Sequence, residues 1–412
     1  MGILYRILSA LIYFLLWPYG KIRALFGNNL WRGRLGLIDN LESIDIWIHA
    51  SSAGETKIAG FLVDYLKHKN PGVRIYLSTM TTAGQKISVE FRNQLVSSGF
   101  FLIDSKGPVR RTFDKIKPRM FVIAETEIWP NLIVEANSRS IPLILVNGRM
   151  SDRAFKKYKM AGQLMARLLS SYEKIFVKSA DDKKKIGFFR VNEERITIGG
   201  DMKFDAPLLV HDQSVISRTR KSLGAGENDF VLMAGSTRPG EEKLLVQLLQ
   251  TLKTSRKRIL LVIAPRHLNR IEQVKFEVSS QNLKCSIYMS ESAPESVILV
   301  DKMGLLNELY QAADLAFVGG TLVDVGGHNI LEPVWAGTPV VFGPYVGNIS
   351  EASDYIIENN YGGMVNSIVE MTELVRKFVD NRKMFAIKTE DDLSHSPTAT
   401  AGDFILELMK RA

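Results

Sequence analysis

Short apolar runs alternate with amphipathic stretches along nearly the whole chain, and they do so twice. The runs fall at residues 44–48, 74–78, 121–124, 143–146 and 174–177, and again at 230–234, 259–264, 297–300, 315–318 and 340–342. Runs this short and this uniformly apolar suit strands buried on both faces, and the amphipathic segments between them suit the helices that cover such strands. The pattern predicts α/β architecture with parallel, doubly wound sheets. A chain of 412 residues exceeds one comfortable core, so two domains are expected. The hinge is placed after Asp205, where Ala206-Pro207 begins a polar stretch that ends near Asn228.

Charge separates the two halves. Residues 1–205 hold 32 Lys and Arg against 19 Asp and Glu, whereas residues 206–412 hold 21 against 25, so the overall excess of +9 belongs to the first half. Such a domain suits an anionic surface. From Ile7 to Gly20 the sequence ILSALIYFLLWPYG carries no charge and is flanked by Arg6, Lys21, Arg23, Arg32 and Arg34. As a helix it would extend about 21 Å, short of a ~30 Å hydrocarbon core, so shallow insertion and a short span both fit. Trp17, Tyr19 and Trp31 suit an interfacial depth, and the basic residues favour the cytoplasmic side. Bulky Trp17-Pro18-Tyr19 argues against a cleaved signal peptide. With no base-reading motif, membrane is preferred to nucleic acid as the partner. One cysteine, Cys285, rules out an internal disulfide, and six scattered histidines show no zinc-ligand spacing.

In open parallel sheets, ligands bind beyond the carboxyl ends of strands, near the reversal in strand order. The motifs follow strands accordingly. WIHASSAGE (47–55) ends a strand in small residues and brings Glu55 to the start of a helix, where a carboxylate of raised pKa can deprotonate an acceptor hydroxyl. The same position also suits a glutamate that only complements the helix N-terminus. AETEIWPN (124–131) carries Glu125 and Glu127, which would point to one side if the strand continues. APRH (264–267) projects Arg266 from a strand end, where a guanidinium can hold phosphate or carboxylate. FVGGTLVDVGGHNILEP (317–333) reads as a glycine-rich loop whose backbone N–H groups form an anion site, with Glu332 placed to accept from a ribose diol. His267 and His328 are read as hydrogen-bonded structural residues.

ASSAGE, ETEIWPN, GDMKFD (200–205), APRH and GGTLVDVGGHNILEP, in this order, resemble the Kdo (3-deoxy-D-manno-octulosonic acid) transferase family from the N-terminal segment to about residue 350. The resemblance implies a GT-B fold, two Rossmann-like domains facing a central cleft. Residues 1–34 are then the membrane-anchoring segment, 35–205 the acceptor domain and 206–412 the donor domain. It implies an inverting glycosyltransferase moving Kdo from CMP-Kdo to a lipid A precursor in lipopolysaccharide synthesis, at the cytoplasmic face of the inner membrane. It carries over Glu55 as general base, Glu125 and Glu127 as supporting residues, and a CMP site of Pro265, Arg266, Met303, Gly304, Leu305, Asn329, Ile330, Leu331 and Glu332. Many relatives have Glu where this chain has Leu305, and Gln where it has Lys178-Ser179. Lys203 is assigned to the Kdo carboxylate. A monophosphate leaving group carries one charge, so no metal or other cofactor is expected. The alternatives are a UDP-GlcNAc epimerase on the same fold, against which residues 1–34 argue, and a catalytically silent membrane scaffold, against which the three glutamates argue.

Overall fold

The computed structural model describes residues 3–41, 43–205, 213–252, 257–290, 294–387 and 396–411. The chain divides into two compact units, residues 1–208 with 393–412, and residues 209–392. The first contains β1 (Ile44–Ala50), β2 (Ile75–Thr79), β3 (Ser97–Phe100), β4 (Pro118–Ala124), β5 (Leu143–Gly148), β6 (Lys174–Val177) and β7 (Ile196–Ile198). These form one parallel sheet in the order β3-β2-β1-β4-β5-β6-β7.

Side-chain alternation explains why the runs are apolar throughout. Trp47, Phe121, Ile123, Leu143, Leu145 and Ile175 enter one core, while Ile46, Ile48, Met120, Val122, Ile144 and Val146 enter another. Successive residues of one strand thus serve opposite faces, both covered. Trp47 is buried, with its ring 4.4 Å from that of Phe121 and its indole N–H donated to Ser78 Oγ at 2.8 Å.

The second unit repeats the plan. Strands β8 (Phe230–Thr237), β9 (Ile259–Pro265), β10 (Cys285–Ile287), β11 (Val297–Leu299), β12 (Leu315–Val318), β13 (Val340–Phe342) and β14 (Gly362–Met364) pair in parallel in the order β10-β11-β9-β8-β12-β13-β14. Strand order reverses between β1 and β4 in the first sheet and between β8 and β12 in the second. Both reversals place loops where ligands bind in such sheets.

The domain boundary expected from sequence, with 206–412 in one body, is corrected at its end. Helix Pro397–Arg411 packs on the first unit, where Ala401 and Ile405 join the core of Ile46, Ile58 and Leu62. Tyr65 donates its hydroxyl to Asp403 at 2.7 Å, and the Thr398 N–H donates to Asp205 Oδ2 at 2.6 Å. Gly402 permits the approach, since a Cβ there would lie 2.4 Å from the Tyr65 ring. An amphipathic terminal helix goes where its apolar stripe is covered, whatever its sequence neighbours.

At the other end, helix Ile3–Leu25 lies along the first unit. Tyr5 donates to Asp104 Oδ2 at 2.7 Å, Asn131 Nδ2 to Ser9 Oγ at 3.1 Å, and Arg111 Nη2 to the Tyr13 hydroxyl at 2.8 Å. Its opposite side leaves Ile7, Leu11, Phe14, Leu15 and Ile22 exposed. Among the described residues no helix is long and apolar enough to cross a membrane.

Candidate active site

Ser51 to Glu55 follow β1 and Glu125 to Trp129 follow β4, so the register of these paired strands brings both motifs to one sheet edge. Helix Ala53–Lys69 starts there with Ser52 as N-cap. Ser52 Oγ accepts the Glu55 N–H at 3.2 Å and donates its own proton to Glu55 Oε1 at 2.9 Å, while the Ser51 N–H donates to Glu55 Oε2 at 2.7 Å. Glu55 therefore does complete the helix start, as its position allowed. That role fixes the carboxyl without making it inert. Burial raises its pKa above the ordinary glutamate value; the bonds from Ser51 and Ser52 oppose this, and the charges of Glu127 and Glu125 add to it. A half-buried carboxylate held in place and biased toward proton uptake is suited to general-base work.

Glu127 takes the opposite character. It accepts from His49 Nε2 at 3.1 Å, from the Ser51 hydroxyl and from Trp129 Nε1 at 3.1 Å. Burial alone would raise its pKa, but these bonds outweigh it and hold the carboxyl below the ordinary value. His49 is fully buried and stacked 3.6 Å from the Phe101 ring, with Nδ1 3.0 Å from Ser78 Oγ. Ser51 joins the two glutamates, giving its N–H to one and its O–H to the other. Two carboxylates of divergent pKa thus stand on one serine, which is the arrangement that separates a base from a permanent charge.

The expectation that Glu125 and Glu127 share a side is corrected. Strand β4 ends at Ala124, Glu125 adopts φ 62°, and the Glu127 N–H closes back on the Glu125 carbonyl at 3.0 Å. The left-handed residue turns the chain, and Glu125 meets Lys178 at 3.0 Å instead. Lys178 also pairs with Asp201 at 3.2 Å, tying GDMKFD to the same edge. Lys203 lies in the 3-10 turn Met202–Phe204, its Nζ 5.2 Å from the Phe204 ring centroid.

In the second unit Pro265, Arg266, Met303 and Gly304 line one pocket with Ser236 and Lys302. Residues 329–332 are not among the residues that line that pocket. Asn329 Oδ1 accepts the Leu331 N–H at 3.2 Å and its Nδ2 lies 3.4 Å from Glu332 Oε1. The side chains of Ile330 and Leu331 are buried. Leu305 precedes helix Leu306–Ala312 as its cap residue.

The glycine-rich loop departs from its expected role. The N–H groups of Gly320, Thr321 and Leu322 are donated to the buried carboxylate of Glu241 at 2.9, 3.2 and 3.1 Å. This segment is filled by the chain's own anion rather than open to a ligand's. His267 and His328 both meet Arg238, as structural histidines do. The sequence assigns no individual role to His49, Ser51, Arg238 or Glu241, and it marks Lys178 only as a departure from relatives. For Arg238 and Glu241 the available signal was GSTRPGEE (235–242), another small-residue turn leading to acids directly after a strand.

Residues 29–206 match the family described as 3-deoxy-D-manno-octulosonic-acid transferase (kdotransferase). A 3-deoxy-D-manno-octulosonic acid transferase of Haemophilus influenzae is 30% identical over 347 residues, covering 82% of this chain and 79% of that protein. A bifunctional glycosyltransferase/methyltransferase of Fusobacterium nucleatum is 33% identical over 347 residues, and the match covers 82% of this chain but only 53% of that longer protein. Among solved structures, the UDP-GlcNAc 2-epimerase from Neisseria meningitidis aligns with a TM-score of 0.55 over 90% of this chain and 100% of that one. At 12% identity that likeness speaks for the fold alone, two doubly wound units of the GT-B kind.

Proposed function

The chain belongs to the Kdo transferase family, and on that premise we propose that it moves Kdo from CMP-Kdo to a lipid A precursor with inversion at the anomeric carbon. The observation that carries this reading is Glu55, a carboxyl anchored by Ser51 and Ser52, raised in pKa, and backed by the ionised Glu127.

In the proposed reaction Glu55 takes the proton of the acceptor hydroxyl as its oxygen bonds to the anomeric carbon. The bond from that carbon to the CMP phosphate oxygen breaks, and CMP leaves with the electron pair. Arg266 supplies positive charge to the departing phosphate. That phosphate carries one negative charge in the donor, which a guanidinium can meet, so the reading requires no metal or cofactor. Lys203 is assigned to the Kdo carboxylate, and residues 329–332 to the nucleotide.

The exposed apolar side of helix Ile3–Leu25 and the basic character of the first half favour attachment to an anionic membrane surface. The cytoplasmic face of the inner membrane is the proposed location, where a water-soluble nucleotide sugar meets a lipid acceptor. The test is incubation of the purified chain with CMP-Kdo and tetraacylated lipid A precursor, with chelator present, read by mass spectrometry. A mass increase of one or more Kdo units supports the reading. No product from a chain that binds CMP refutes this acceptor and returns weight to a silent scaffold.

A further inference from the structure

The second unit contains two kinds of partly buried arginine. Arg270 is neutralised, giving Nη1 to Glu242 Oε1 at 2.7 Å and Nη2 to Oε2 at 3.2 Å. Arg238 is oriented by other means. Its Nε donates to His328 Nε2 at 3.1 Å, and its Nη1 lies 3.1 Å from His267 Nε2. A guanidinium only donates, so His328 Nε2 is the acceptor of the Arg238 Nε–H. For His328 this agrees with a pKa lowered by burial and by Arg238, Arg266 and His267. Imidazole acceptors fix the plane of a guanidinium while leaving its charge in place. A carboxylate would fix the plane and cancel the charge.

The register then places a second cation alongside. Thr237 and Pro265 are paired across β8 and β9, and the next residues are Arg238 and Arg266. Adjacent strands run about 4.8 Å apart, so the two arginines leave the sheet edge as neighbours. The Arg266 N–H donates to the Thr237 carbonyl at 3.1 Å, continuing the pairing beyond the strand. Among the described residues neither guanidinium has a carboxylate partner. Ser236, at φ 55° where the register shifts, lines the pocket that Arg266 and Met303 share. Arg238 follows β8, beside the strand-order reversal, and Arg266 follows the neighbouring β9, so the two arginines leave adjacent strand ends on the side where such sheets bind ligands, and two imidazoles orient the first of them.

We propose that Arg238, held by His267 and His328, contacts the phosphate of the donor nucleotide and closes a two-arginine clamp with Arg266. The proposal rests on the reading of this unit as the donor-binding one. His267 and His328 act through Arg238 and are positioning residues.

The test compares CMP with cytidine, which differ by the phosphate, in calorimetric binding to the full chain. In Arg238→Gln, CMP affinity falls at least about tenfold, as for the loss of a charge-assisted bond, and cytidine affinity is unchanged. The retained cytidine affinity shows that the unit is folded. His328→Leu lowers CMP affinity, and His328→Gln, whose amide oxygen still accepts, restores most of it. A CMP-to-cytidine ratio unaltered in Arg238→Gln overturns the clamp. Loss of affinity for CMP-Kdo alone, with CMP unaffected, also overturns it, because the contact would then be to the sugar carboxylate. If the wild-type chain shows no preference for CMP over cytidine, the donor reading fails and the clamp with it. CMP discrimination that depends on Arg238 without Kdo transfer leaves the clamp standing and removes only the proposed reaction.

Discussion

Glu241 is predicted to be the internal anion that shapes the loop after β12. Its carboxylate accepts the N–H groups of Gly320, Thr321, Leu322 and Arg238, the last at 2.8 Å. Gly320 and Thr321 are buried, and Gly320 holds φ 79°, a left-handed conformation that turns successive N–H groups toward one point. Glu241→Ala removes the acceptor and leaves at least two buried N–H groups without a partner. At roughly 1–3 kcal/mol for each unsatisfied group, local stability should fall by about 2–6 kcal/mol. A two-unit chain need not unfold in one step, so global denaturation is a poor measure. Native-state hydrogen exchange at residues 320–322 reads the local opening directly. A loss of 2 kcal/mol corresponds to roughly 30-fold faster exchange. The prediction is acceleration of at least about tenfold at these amides, with those of β1 unchanged. Unchanged protection would show that the carboxylate does not hold the loop, and would restore its reading as an open anion site.

Other consequences follow for the proposed reaction and membrane attachment. Glu55 works as a base only when ionised, so kcat/KM should fall as pH drops through its raised pKa, above the usual glutamate range. Glu127→Gln removes a charge that raises that pKa, and the acid limb should move to lower pH; a limb that stays in place would refute the coupling. Lys203→Ala should raise KM for CMP-Kdo about tenfold with CMP affinity retained, and an unchanged KM would remove the carboxylate assignment. Phe14 and Leu15 are 73% and 67% exposed on the helix Ile3–Leu25. Replacing both with Asp should lower co-sedimentation with anionic vesicles more than tenfold, given about 1.5–3 kcal/mol for each side chain buried. Wild-type-like sedimentation would place membrane contact elsewhere.

The central strands were legible because burial on both faces demands continuous apolar sequence. The strands that sequence reading left out are β3, β7, β10 and β14, and these are the outer strands of the two sheets. An edge strand has a neighbour on one side only, so Ser97-Ser98-Gly99 and Gly362-Gly363 can serve there without a strong apolar signal. The return of helix Pro397–Arg411 to the first unit was invisible because an apolar stripe does not name the surface that covers it. Glu55 and Arg266 stand out in the sequence because motif and strand end coincide, whereas Met303 comes from the family resemblance alone. His49 is one polar residue inside an apolar strand, and burial of such a group requires partners, here Ser78 and Glu127. The glycine-rich loop misled for a related reason. Its N–H groups do converge on an anion, but that anion is supplied by Glu241, far away in sequence.

Kdo transfer to tetraacylated lipid A precursor by wild type and by Glu55→Gln, counted by mass spectrometry with CMP affinity measured on both, decides whether Glu55 is a base. Wild type is expected to form product, Glu55→Gln to lose at least about a hundredfold in rate, and both to bind CMP equally. Transfer by Glu55→Gln at near the wild-type rate would contradict that role, leaving Glu55 as a helix-capping residue and nothing more.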